Sequence, residues 1–177
     1  MIVMINGAFG AGKTTQAENL ARLIPNSMIV DPELSGYLLR ELIPDSMRQE
    51  HERSGDFQDL DLWRVLVVEV TKQVKLKYDR NLIVPMTLYK PQNYNYIRQE
   101  FEKLDKVYHF TLMASKASIH ERLTIRGDTV GGWQFQQTDK CLSALKASEF
   151  AEHIDSETLN AEEITQYIMS KLDYTKL

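Results

Sequence analysis

The sequence predicts an α/β fold in which a parallel sheet is covered by helices on both faces. Three observations carry this. Short apolar, β-rich runs alternate along the chain with longer stretches of helical periodicity. The first run, Ile2 to Ile5, is apolar throughout, as in a strand buried on both faces. A glycine-bearing turn at residues 7–12 then leads straight into a helical pattern. Such alternation implies right-handed crossovers, and it puts ligands beyond the carboxyl ends of the strands.

The elements follow in order. Lys13 to Leu23 reads as a helix with Ala17, Leu20, Ala21 and Ile24 on one face, ended by Pro25-Asn26. Met28 to Val30 is a second strand, closed by Asp31-Pro32. Glu33 to Ile43 is helical and stops at Pro44. Met47 to Asp59 is polar and reads as a mobile connector. Leu60 to Tyr78 is a long apolar helix, and Leu82 to Val84, extending toward Met86, a third strand. Pro91 opens a helix that runs to Leu104. Val107 to Met113 is the fourth strand, Lys116 to Arg126 a helix, and 127–133 a glycine-bearing loop. A further helix reaches about Ala147, His153 to Asp155 forms a fifth strand, and Ala161 to Leu172 the last helix. No repeat or Pro/Gly/Ser linker divides the chain, so residues 1–177 read as a single domain.

The turn spells Gly7-Ala8-Phe9-Gly10-Ala11-Gly12-Lys13-Thr14, a full match to G-x-x-x-x-G-K-[ST]. A loop that wraps a phosphate must point several backbone N–H groups inward, and glycines permit the dihedrals this needs. The helix N-terminus adds partial positive charge. Gly7, Ala8, Phe9, Gly10, Ala11, Gly12, Lys13, Thr14 and Thr15 are therefore the expected ATP-binding residues. Lys13 would reach the β- and γ-phosphates, and the Thr14 hydroxyl would ligate Mg²⁺.

Other motifs narrow the class. N-K-x-D, which reads guanine, is absent, and the D-x-x-G of Asp128 to Gly131 follows a helix rather than a strand. Val65 to Glu69 spells an apolar run ending in an acid, but it lies inside a helical pattern. Small kinases remain. They need a group that orients the acceptor and cations that close over the phosphoryl. Asp31 falls at the end of the second strand, expected beside the strand that carries the phosphate loop; it also suits a helix N-cap. Glu33 reads as a first-turn residue favoured by the helix dipole. Arg122 and Arg126 share a helix face before the glycine-bearing loop, as in a lid spanning about 116–147. Arg40 and the Trp63-Arg64 pair are candidates for the acceptor pocket. At the end of the third strand, Thr87 stands where many such proteins place a magnesium-holding Asp.

Composition excludes other classes. Lys and Arg total 21 against 25 for Asp and Glu, a balance that argues against a nucleic-acid binder. The four histidines have no metal-ligand spacing, and Cys141 reads as a small core residue. A single cysteine fits a reducing compartment. No apolar run approaches a membrane span, and the start lacks a basic leader, so the expected location is cytoplasmic.

The stretch Asn6 to Thr14, Asp31-Pro32-Glu33, Leu62-Trp63-Arg64, Leu82 to Leu88 and His109 to Lys116 resembles bacterial tunicamycin-resistance ATP-binding proteins. Arg122-Leu123 with Arg126, and the segment 133–141, extend the likeness to about Ile154. The resemblance implies a three-layer P-loop kinase-like fold, sheet order 2-3-1-4-5, with a helical lid. It implies ATP binding and protection against a nucleoside antibiotic that blocks lipid-linked sugar synthesis. Antibiotic phosphotransferases of that fold carry a catalytic Asp after the second strand, which matches Asp31. The loop at 155–160 would occupy the adenine-cupping place. The expected activity is ATP-dependent phosphoryl transfer to a nucleoside-like small molecule. The alternatives are ATP-dependent sequestration of the drug and a regulatory ATPase switch.

Overall fold

The structure is a computed structural model, and it describes residues 1–173 of the chain. Five strands form one parallel sheet: β1 (Ile2–Gly7), β2 (Ser27–Ile29), β3 (Asn81–Met86), β4 (Val107–Met113) and β5 (His153–Asp155). Their order is β2-β3-β1-β4-β5. Seven α-helices are present among the described residues: α1 (Lys13–Leu23), α2 (Pro32–Leu42), α3 (Trp63–Tyr78), α4 (Pro91–Glu102), α5 (Lys116–Arg126), α6 (Trp133–Leu145) and α7 (Ala161–Lys171).

β1 is the centre, paired with β3 on one side and β4 on the other. Its side chains alternate between two cores. Ile2 and Met4 join Leu82, Val84 and Met86 beneath α3, α4, α5 and α6. Val3 and Ile5 join Ile83, Phe110 and Leu112 against α1 and α7. Burying a side chain of this size stabilises by about 1.5–3 kcal/mol, so this continuous apolar strand is the natural middle of three layers. The strand order is the one that the resemblance implies; the separate expectation that the second strand lies beside β1 is corrected here. β3, six residues long and apolar, takes the inner position, and the three-residue, partly exposed β2 is left at the edge.

Local signals fix the helix starts. Asp31 N-caps α2 by accepting the Glu33 N–H (2.9 Å), with Pro32 in the first turn. Ser115 caps α5, and Asn160 forms a capping box with Glu163 at α7. Val65 to Glu69 lies within α3, as its periodicity indicated.

The segment between α2 and α3 is the main departure from expectation. It is folded into two 3₁₀ turns, Glu50–Arg53 and Phe57–Asp59, rather than left as a loose connector. Asp56 and Gln58 within it are buried. The Asp56 carboxylate accepts the Tyr89 hydroxyl, and Lys90 pairs with Asp59. Gln58 Oε1 accepts the Tyr89 and Lys90 N–H groups, each at 3.3 Å. Polar composition hid this because the segment's partners lie some thirty positions away, after β3.

Phe57 packs against α2 where Gly36 has no side chain. A Cβ on Gly36 would sit 2.3 Å from the Phe57 ring. Gly36→Ala is therefore expected to destabilise the protein by about 1–3 kcal/mol through overpacking. Urea unfolding measures it, and wild-type stability in that variant would contradict this packing.

Candidate functional site

The phosphate loop lies between β1 and α1, and a single buried side chain anchors it. The Asn6 carboxamide donates to Leu88 O (2.8 Å) and accepts from Leu88 N (2.9 Å) and Gly7 N (2.8 Å). It therefore ties the loop's first residue to the segment after β3. Gly7 adopts φ 149°, and a Cβ there would approach Leu112 O to 2.9 Å, so glycine is required. Gly12 is the N-cap of α1. Ala8 O accepts both the Ala11 N–H (3.1 Å) and the Lys13 ammonium (2.9 Å). Lys13 thus folds back over its own loop, 5.5 Å from the Phe9 ring centre.

One cleft of about 670 Å³ opens beside this loop. Phe9, Lys13 and Thr14 form its phosphate end, and Asp31 and Glu33 enter from the start of α2. Tyr37, Arg40, Asp56, Phe57, Gln58 and Trp63 build the far wall. Arg126, Asp128, Trp133 and Gln134 close it from the end of α5, the turn after it and the start of α6. Aromatic contacts hold the walls. Phe9 meets Trp133 edge-on at 5.1 Å, and Tyr37 meets Phe57 at 4.9 Å. The Arg40 guanidinium lies over Phe57 at 4.0 Å and donates to Gly55 O. Trp63 Nε1 donates to Pro32 O at 3.0 Å, fixing α3 to the first turn of α2.

Enclosure sets the charges. Desolvation lowers Lys13 to about 8, opposed chiefly by the Glu33 carboxylate. Burial raises Glu33, and Lys13 counteracts it. Arg126 is held charged by Asp128, with contacts of 2.6 and 3.0 Å. Burial pushes the Cys141 thiol up to about 12, which suits the core residue expected from sequence.

Not every expected residue reaches this cleft. Lys13, Thr14, Asp31, Arg40 and Arg126 line it, with Phe9. Arg122 does not line it. Its guanidinium donates to Ser156 Oγ (3.3 Å) and Ser156 O (2.5 Å), in the loop after β5. A spacing of four residues puts it about 6 Å further from the end of α5, where the cleft opens. Arg64 turns toward α4, donating to Asn93 Oδ1 (3.2 Å) and lying 5.4 Å from the Tyr96 ring centre. Burial of its neighbour Trp63 fixes the helix rotation that sends Arg64 away. Thr15 is exposed and lies outside the cleft lining.

Sequence reasoning missed Asp56, Gln58, Phe57 and Trp133, and read Glu33 as a helix-start residue only. Single aromatics inside otherwise polar or glycine-bearing stretches were the available signal.

A magnesium ion fits the donors present. The Thr87 hydroxyl is buried with no partner and lines the same cleft as the exposed Thr14 and Asp31. Hydroxyls and a carboxylate suit an ion that keeps several of its waters. Among the described residues the one cluster of three histidine or acidic side chains is His51, Glu52 and Asp61, none of which lines this cleft. No described helix is long and apolar enough to cross a membrane.

The sheet order and the loop between β1 and α1 define a P-loop kinase-like fold. Across 98% of its length the chain is similar to the tunicamycin resistance protein of Deinococcus radiodurans. They share 28% identity with a TM-score of 0.78, and the match covers 96% of that protein. The resemblance drawn from the sequence thus extends over the full structure. A sugar kinase from Janibacter sp. shares the fold at 18% identity and TM-score 0.66, over 97% of this chain and 94% of that one. A gluconokinase from Sinorhizobium meliloti shares it at 14% and 0.63, over 95% and 89%. No protein-family model and no curated protein sequence matches the chain.

The lowered Lys13 carries a pH dependence. Bound phosphate favours the ammonium, so binding takes up a proton wherever free Lys13 is neutral. ATP affinity is expected to be flat below about pH 8 and to fall toward roughly tenfold per unit above it. Calorimetry from pH 6.5 to 9.5 measures this. Lys13→Ala should weaken ATP at least about tenfold and abolish the dependence, and full affinity in that variant would contradict the cradle.

Proposed function

We propose that the protein is an ATP-dependent phosphotransferase acting on a nucleoside-like small molecule. One observation carries the reading: a single cleft holds the phosphate-loop lysine, a carboxylate pair and an aromatic acceptor wall. Lys13 and the loop N–H groups bind the β- and γ-phosphates. Asp31 orients the acceptor hydroxyl. Arg126 neutralises charge on the transferring phosphoryl, as Lys13 does from the other side. Arg122, held at Ser156, supports the nucleoside end and not the reacting phosphate. Thr14 and Thr87, with Asp31 close by, would hold magnesium. That ion would draw charge from the phosphate oxygens.

Tyr37, Phe57 and Trp63 give the acceptor side flat apolar faces. Asp56, Gln58 and Arg40 supply acceptors and donors at the same wall. This is the surface a ring bearing hydroxyl and carbonyl groups requires. The name of the Deinococcus relative supports tunicamycin as the first compound to test. In this reading residues 1–177 act as one nucleotide-binding domain with a lid over 116–147. α5 and α6 are rooted in the core through Ile119, Leu123, Phe135, Cys141 and Leu145. Closure therefore falls to the 127–132 turn. Residues 174–177 of that domain lie outside the described residues.

A second reading, ATP-dependent sequestration without transfer, is favoured by Thr87 standing where an acid would hold magnesium more firmly.

Mass spectrometry of tunicamycin after incubation with protein, ATP and magnesium separates the two. The phosphotransferase reading expects a gain of one phosphoryl group, slowed at least about tenfold in Asp31→Asn with ATP affinity unchanged. Unmodified drug that binds tightly only with ATP would establish sequestration instead.

A further inference from the structure

We infer that a pocket of three arginines beside the cleft binds an oxyanion, and that the acceptor is a nucleoside-like molecule carrying a phosphate or carboxylate at the end remote from its reacting hydroxyl. The choice of acceptor rests on the phosphotransferase reading and narrows it.

The segment after α2 builds the pocket. Arg40, Arg48 and Arg53, with Asp45, Glu52 and Gly55, line a space of about 580 Å³. Arg40 and Gly55 also line the cleft, so the two spaces adjoin.

Neutral backbone oxygens hold the three side chains in place. Arg53 donates to Arg48 O at 2.9 Å, Arg48 to Arg40 O at 2.7 Å, and Arg40 to Gly55 O. A carbonyl orients a guanidinium without cancelling its charge. Among the described residues only Arg48 of the three forms an ion pair, with Asp45 at 2.5 Å, and that acid is exposed. Glu52 is committed elsewhere: its two oxygens accept the Gln49 N–H at 2.9 Å and the Asp61 N–H at 3.0 Å. Arg48 Nε is enclosed without a partner, an unmet donor in the wall. A guanidinium carries more N–H donors than these bonds use, and its planar fork matches carboxylate and phosphate oxygens. Like charges gathered in one pocket repel, and a bound oxyanion relieves that repulsion.

The acceptor's direction follows. Tyr37 and Phe57 line the cleft, and the Arg40 guanidinium lies over Phe57 at 4.0 Å. A ring seated on this wall can send its charged end past Arg40 into the pocket. Its hydroxyl then faces the phosphate end of the cleft, at Lys13.

Calorimetry on the full chain tests this with uridine, uridine 5′-monophosphate and inorganic phosphate. A non-hydrolysable ATP analogue and magnesium fill the phosphate loop throughout, so that the monophosphate cannot occupy it. The monophosphate is expected to bind at least about tenfold tighter than uridine, with an advantage that shrinks as salt rises. Inorganic phosphate should compete with it. Arg48→Gln and Arg53→Gln should each weaken the monophosphate at least about fivefold and leave uridine within about threefold. Arg53 is exposed, so its variant keeps the test decisive should urea unfolding show that Arg48→Gln is unstable. Equal binding of uridine and its monophosphate, an advantage that survives both substitutions, or no binding of any of the three overturns the inference. Phosphate that binds without displacing the monophosphate marks a site for a free anion and overturns the acceptor assignment. Phosphoryl transfer to the same two compounds judges the kinase reading separately. A monophosphate held by the pocket yet never phosphorylated would remove that reading and leave the oxyanion site in place.

Discussion

The Asn6 carboxamide is the interaction on which the site depends. It sits at the end of an apolar strand, fully enclosed, and satisfies three backbone groups at once. One of these opens the phosphate loop, and the other two belong to Leu88 beyond β3. A buried amide with three good partners has little freedom to move, and losing it would strand three backbone groups in the core. The distance between the phosphate cradle and the chain after β3 is thereby fixed before any ligand arrives. Thr87 sits beside that tie, and Tyr89 and Lys90 follow it to hold the 50–60 segment.

The far wall of the cleft, the proposed acceptor side, is thus hung from the same anchor as the phosphate loop. Asp56 and Gln58 reach the cleft because Tyr89 and Lys90 grip the 3₁₀ turns that carry them. Phe57 is pressed into the notch at Gly36, and Trp63 ties α3 to Pro32. Pre-organised walls of this kind lower the ordering cost of holding two reactants together, which is where most of the advantage in phosphoryl transfer lies. The opposite side, at the end of α5 and the start of α6, is attached more lightly. Phe9 and Trp133 meet edge to edge, and Arg126 spends its guanidinium on the neighbouring Asp128. Exchange of that exposed ion pair for a phosphate costs little, because surface pairs contribute at most about 1 kcal/mol.

Much of this was legible in the sequence, for definite reasons. The phosphate loop is local: its glycines, lysine and threonine are adjacent, and the strand before and helix after are read from short windows. β4 and α5 fall where periodicity put them, at 107–113 and 116–126. Residues whose roles depend on distant partners were not legible. The 47–59 segment looked loose because Tyr89 and Lys90 pair with it only once β3 lies between β1 and β2. Arg122 and Arg126 looked equivalent because helical spacing gives a shared face but not a position along the cleft. Asp31 and Glu33 looked like cap and first turn, which they are, but burial beside Lys13 is a tertiary fact. The half-buried Arg64, turned toward α4, and the buried Trp63, adjacent in sequence, show how one residue of helix rotation separates the cleft wall from a neighbouring helix.

In the proposed function one cleft brings phosphate donor and acceptor into reacting distance. A crystal structure with a non-hydrolysable ATP analogue, magnesium and tunicamycin bound together tests it directly. An acceptor hydroxyl oxygen is expected about 3–3.5 Å from the γ-phosphorus, in line with the bridging oxygen and beside Asp31 and Glu33. A drug seated with every hydroxyl far from the γ-phosphate, or bound outside the cleft between the phosphate loop and Phe57, would contradict it.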